Sequence, residues 1–147
     1  MIRTILAVLF VCVVFGGLAS ADQSGDDESR ISRSLIERDA AIGVHQPGPH
    51  EGGGDTIAYP YFAKATDLGM VFRKRVLRRG SAIGYHLQEF DEVFYILSGT
   101  GDYTLNGKSQ AVSGGTAILT RAGDSHGLRP TGNHDLVMII AYPKPDK

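Results

Sequence analysis

From residue 57 to residue 142 the chain is a succession of short β-rich runs, each closed by Gly, Asn, Asp or Pro. The runs span residues 57–62, 70–77, 82–88, 92–97, 101–105, 109–112, 116–119, 127–129 and 135–142. No helical periodicity of comparable length competes with them. Asn106-Gly107 is the sharpest local signal, because both residues tolerate the positive φ angles of a type I′ turn, and it predicts a tight hairpin. Strands this short bury their apolar faces only against one another, so the pattern predicts an all-β sandwich or barrel. There is no internal repeat, which points to one barrel. A chain of 147 residues with 42% hydrophobic content suffices for one such core and is short for two.

The N-terminus has a different logic. Met-Ile-Arg precedes an apolar run from Ile5 to Phe15, followed by Gly16, Gly17 and the small residues Ala19-Ser20-Ala21. That layout reads as a cleaved secretory signal over residues 1–21, cut after Ala21. The competing reading, an uncleaved membrane anchor, suffers from the shortness of the run. Cys12, the only cysteine, leaves with the signal, so thiolate ligands and thiol nucleophiles are excluded from the mature chain. The expectation is a secreted or periplasmic protein without stable membrane association. A formal net charge of −1, one unit more negative after loss of Arg3, gives no electrostatic footprint for nucleic acid. Residues 22–33 are polar and have little to bury, so they read as a tail, and residues 46–55, rich in Pro, Gly and His, read as a loop or arm. Residues 34–42 fit a short helix or a strand. The resulting division is leader 1–21, tail and arm 22–56, and barrel domain 57–147.

The chemistry concentrates between Gly80 and Gly99. His86 and Gln88 are two apart on one run and share a face, and the turn at Asp91 lets Glu92 open the next strand towards the same space. A later turn, Ala122-Gly123-Asp124-Ser125, delivers His126. Two imidazoles, a carboxylate and an amide oxygen form a donor set for one first-row divalent ion and leave coordination positions open.

These residues resemble the cupin family, whose first motif is G(X)5HXH(X)3,4E(X)6G. Gly80, His86, Glu92 and Gly99 fall on it in register, with Gln88 where the second histidine usually stands. The second motif, G(X)5PXG(X)2H(X)3N, is met by Gly115, Gly123 and His126, while Arg121 replaces the usual Pro and Pro130 the usual Asn. The resemblance implies a jelly-roll β-barrel (a double-stranded β-helix) with an N-terminal arm, holding one divalent metal ion through His86, Gln88, Glu92 and His126. An amide is a harder, weaker donor than imidazole, so Gln88 makes for looser binding and suits ions that accept oxygen ligands, such as Mn(II) or Fe(II), with Zn, Ni and Cu left open. The implied activity is a metal-dependent enzyme acting on a small oxygen-rich molecule, as a dioxygenase or as a sugar-type isomerase or epimerase. The alternative is a non-catalytic barrel that captures a sugar or another small ligand. The resemblance also implies a homodimer.

Other residues have plainer readings. His45 and His50 read as solvated loop residues, with His50 folding over the barrel mouth as the alternative, and His134 reads as a turn residue. Glu89 and Asp91 flank the motif and read as solvated turn acids, with a general-base role for either as the alternative. Tyr85, Phe94 and Tyr95 read as packing residues, with Phe94 on the face of Glu92. The basic stretch Arg73, Lys74, Arg75, Arg78 and Arg79 reads as a solvated outer face or a subunit interface, with one of them inside the barrel to bind an anionic substrate as the alternative; alternation puts Arg73 and Arg75 on one face and Lys74 on the other.

Overall fold

The computed structural model describes residues 34–144. The leader over residues 1–21 and the polar tail over residues 22–33 lie outside the described residues. The one-turn helix α1 (Asp39–Ile42) precedes ten strands: β1 (Val44–Gly48), β2 (Gly53–Tyr59), β3 (Met70–Leu77), β4 (Ile83–Leu87), β5 (Glu92–Ser98), β6 (Thr100–Leu105), β7 (Lys108–Ser113), β8 (Ala117–Thr120), β9 (Ser125–Pro130) and β10 (Leu136–Pro143). They form two antiparallel sheets, ordered β1-β2-β3-β10-β5-β8 and β4-β9-β6-β7. This is the all-β jelly-roll barrel that the run pattern and the motifs predict.

Side-chain alternation builds the core. On β5, Glu92, Phe94 and Ile96 are buried while Val93, Tyr95 and Leu97 face outward; on β10, Leu136, Met138 and Ile140 point in. Together with Leu77 and Leu128 they fill the space between the sheets, each fully buried aliphatic contributing roughly 1.5–3 kcal/mol. The β6–β7 hairpin turns at Asn106 and Gly107, with φ of 47° and 78°, and Leu105 pairs with Lys108 across it. The type I′ expectation holds.

The N-terminal side of the barrel departs from the run pattern. Residues 46–55, read as a loop or arm, are instead β1, a turn and the start of β2, with Val44 opposite Ala58 and Gly48 opposite Gly53. His45, Gln46 and Pro47 give no β signal, yet an edge strand accepts a proline because its outer backbone groups need no partner. The run at 57–62 likewise ends at Tyr59: Pro60 follows, and Phe62 takes a φ of 58° while its N–H donates to Glu37 Oε2 at 2.7 Å. The β1–β2 turn is packed tightly on β4. Gly84 N–H donates to Pro49 O at 3.0 Å, and a Cβ on Gly84 would stand 1.7 Å from the carbonyl oxygen of His50.

Candidate metal centre

The four motif residues meet at one end of the barrel. β4 and β9 pair with His86 directly opposite His126. Gln88 lies one residue beyond β4, held by its N–H to Asp124 O and by Gly123 N–H to its own carbonyl, both at 2.8 Å. Glu92 opens β5 opposite Thr120. His126 Nε2 lies 3.2 Å from Gln88 Oε1 and 3.4 Å from Glu92 Oε2, while the His86 and His126 ring centroids are 4.5 Å apart. Donors that share an ion bound at about 2.0–2.2 Å stand about 3 Å from one another, so this spacing suits a common ion. Among the described residues no three His, Cys, Asp or Glu side chains form a ready cage; the close triple is His126, Glu92 and the amide of Gln88.

Burial sets the protonation states. His126 is fully buried, and burial, reinforced by nearby His86 and His50, pulls its pKa down to about 4. It is therefore neutral at physiological pH, the form a metal ligand requires. Burial pushes Glu92 up to about 7 against the attraction of Arg73 and Arg75, so its carboxyl sits at the boundary between acid and carboxylate. His86 Nδ1 lies 2.8 Å from Gly84 O; donation of the Nδ1 proton leaves Nε2 with the free lone pair. A neutral imidazole, an oriented second imidazole, an amide oxygen and a readily ionised carboxyl fit a divalent first-row ion.

His86, Gln88 and Glu92 open on a pocket of about 390 Å³ whose lining also includes His50, Arg73 and Arg75, while His126 lies buried behind them. Arg73 and Arg75 correct the sequence reading. They share one face of β3, as alternation requires, but that face is the barrel interior and not a solvated outer surface: Arg75 is 2% exposed and pairs across the sheet with buried Met138, and Arg73 with buried Ile140. Lys74 takes the other face, over the Tyr59 ring at 4.1 Å and paired with Asp39. The inward face was ambiguous in sequence because charged residues on a strand are ordinarily exposed.

His50 is the second revision. Its ring stacks on His86, centroids 3.4 Å apart and planes within 5°, so it stands at the mouth and is not a free loop residue. Its φ of 53° and the glycine-lined contact of its turn with β4 place it there. The only sequence signal was a histidine set among glycines and prolines. Tyr142, at the end of β10, also lines the pocket and was not singled out from sequence.

The plain readings hold elsewhere. Asp91 accepts from Ala122 N–H at 3.1 Å and pairs with Arg121 at 2.9 Å, a structural role in its turn. Glu89 is exposed at the pocket rim. Phe94 is core, packed beneath the site 5.5 Å from the His126 ring, while Tyr85 and Tyr95 face outward. His45 is exposed beside Asp55 at 3.1 Å, and His134 is exposed.

A two-sheet jelly roll with imidazole, amide and carboxyl donors gathered at one mouth defines a cupin-type barrel. Residues 75–142 match the family model of the cupin domain, Cupin_2. Over 70 residues the chain is 39% identical to the oxalate-binding protein of Thermotoga maritima, covering 47% of this chain and 58% of that relative's length. Among solved structures it is similar to a T. maritima protein described as a predicted oxalate decarboxylase, with a TM-score of 0.69 and 27% identity over 76% of this chain and 100% of that one. It also shares its fold with an Acidithiobacillus ferrooxidans protein provisionally described as a sugar phosphate isomerase, with a TM-score of 0.67 and 18% identity over 80% of this chain and 78% of that one.

Proposed function

We propose that the chain is an exported, metal-dependent cupin enzyme acting on a small oxygen-rich molecule, with one divalent ion held by His86, Gln88, Glu92 and His126. The observation that carries this reading is the approach of the Gln88 and Glu92 oxygens, on side chains that line the pocket, to within 3.4 Å of the Nε2 of buried, neutral His126. A bound ion would supply Lewis acidity to a substrate oxygen and an open position for a second oxygen ligand. The protein's own contribution is to exclude water on the core side with Phe94, to present His86 Nε2 and to hold a carboxyl whose proton is exchangeable near neutral pH. Oxygenation and sugar-type isomerisation are the two reaction classes that fit. The test is turnover by the metal-loaded protein on small sugars and acids in air and under anaerobic conditions. Turnover that stops without dioxygen identifies an oxygenase, and turnover indifferent to it an isomerase. Loss of turnover in Glu92→Ala is expected in both cases.

The second reading is a non-catalytic binding barrel, favoured by the likeness to the oxalate-binding protein of T. maritima. It requires ligand-dependent thermal stabilisation without turnover, unchanged in Glu92→Ala. Export rests on the leader composition and is tested by N-terminal sequencing of the protein from its native host, with Asp22 expected as the first residue.

A further inference from the structure

We propose that Arg73 and Arg75 form an anion clamp inside the barrel mouth, and that the ligand of the pocket is a small carboxylate carrying a second oxygen donor. The inference rests on the reading of this pocket as a ligand site and names its substrate class.

Two guanidinium groups on one interior face are costly to bury without counter-charge. Among the described residues neither has a carboxylate within ion-pair distance, whereas Arg78, Arg121 and Arg129 each have one. Their protein partners are neutral. Arg75 Nη1 donates to Thr56 Oγ1 at 3.0 Å, and Gln46, with its amide oxygen turned inward, accepts from both Nη atoms at 3.0 Å. Arg73 donates to the Tyr142 hydroxyl and lies 5.1 Å from the centroid of that ring. These contacts orient the two groups without neutralising them.

What is left over points to an acceptor. Among the described residues the buried side-chain polar atoms without a hydrogen-bond partner are Arg73 Nε, Arg75 Nε and His126 Nδ1, the first two on side chains that line the pocket. The two guanidinium groups that line the pocket thus carry charge that no carboxylate within ion-pair distance offsets among the described residues, and this marks the pocket as the place for an external acceptor. The two cations repel one another, and the acids that share the lining are Glu92 and the exposed rim residue Glu89. A carboxylate brings one charge and two in-plane oxygens, the geometry a guanidinium edge takes bidentately. A phosphate dianion would bring a further charge against Glu92 and Glu89. With the carboxylate on the β3 side, a second oxygen on the neighbouring carbon faces His86, Gln88 and Glu92 across the pocket. The 390 Å³ pocket has room for such a ligand.

Titration calorimetry on the metal-free and the metal-loaded chain, with oxalate, lactate, inorganic phosphate and glucose as probes, tests the clamp. Oxalate and lactate are expected to bind, glucose is not, and Arg73→Gln is expected to weaken carboxylate binding at least tenfold while Arg73→Lys retains part of it. Arg73 is chosen because it is less buried than Arg75; should Arg73→Gln fail to fold, Tyr142→Phe, which removes the hydroxyl that orients Arg73, is expected to weaken binding severalfold. Carboxylates that bind no tighter than glucose, phosphate as the tightest probe, or an unchanged affinity in the folded Arg73 variant would overturn the proposal. Metal content measured on the same samples separates the two claims. Bound metal with no carboxylate binding defeats the clamp alone, and Arg73-dependent carboxylate binding by a chain that takes up no metal upholds the clamp and defeats the metal reading.

Discussion

Glu92 is the residue whose environment has the clearest measurable consequence. Its folded pKa of about 7 lies above the ordinary 4.5, so the folded metal-free chain binds this proton more tightly than the unfolded chain does. The stability contribution is therefore greatest below about pH 4.5 and is lost as pH rises through about 7. Glu92→Gln removes the effect, and metal-free Glu92→Gln is expected to exceed the wild type in stability at pH 8 by on the order of 2 kcal/mol and to match it near pH 4. His126 acts in the opposite sense, adding stability as pH rises from about 4 towards 6.5, but it is common to both proteins. Urea unfolding in chelator at the two pH values checks this; equal differences at both would show that Glu92 is not held protonated by the fold. In the presence of a divalent ion the order at pH 8 should reverse, because the ion binds the carboxylate and not the acid. The four candidate ligands, His86, Gln88, Glu92 and His126, were legible in the sequence because they stand at fixed spacings beside glycines. Arg73, Arg75 and His50 were not, since a charge on a strand or a histidine in a glycine-rich turn carries no mark of the direction in which it points.

At the scale of elements, the β1–β2 hairpin decides how the mouth is closed. Its turn meets β4 backbone to backbone, and Gly84 leaves the room for His50 O that any side chain would fill. Gly84→Ala must therefore lift the turn, with an expected loss of about 2–4 kcal/mol in stability. Gly69→Ala, where a Cβ meets nothing within 4 Å, should stay within about 0.5 kcal/mol of wild type. Chemical denaturation of the two variants makes the comparison, and equal midpoints would show that the turn does not bear on β4. β3, β5 and β10 were readable because apolar alternation and β-branched residues mark them on a half-buried surface. β1 was not, because its sequence, Val-His-Gln-Pro-Gly, becomes a strand only through the partner that β2 provides.

For the whole molecule, the outer face of the larger sheet exposes Val93, Tyr95 and Leu97 on β5 and Leu119 on β8, each between 44% and 52% accessible. Apolar area concentrated in this way suits the proposed homodimer. Light scattering after size exclusion is expected to give twice the chain mass, reduced to one in Tyr95→Lys, and a monomer at every concentration would remove the dimer. No helix among the described residues is long and apolar enough to cross a membrane. The barrel itself was legible from strand count, turns and two motifs, while the reaction is not written in any of them, because one cupin scaffold serves many chemistries through its pocket. The central claim is that His86, Gln88, Glu92 and His126 hold an ion. Elemental analysis of the chain from Asp22 onward, purified without chelator or histidine tag, tests it most directly, with His86→Ala and His126→Ala alongside. Near one equivalent of Fe, Mn, Ni, Cu or Zn in the wild type, lost in both variants, is the expected result; a wild type that stays empty after reconstitution with each ion, or variants that keep the metal, would contradict it.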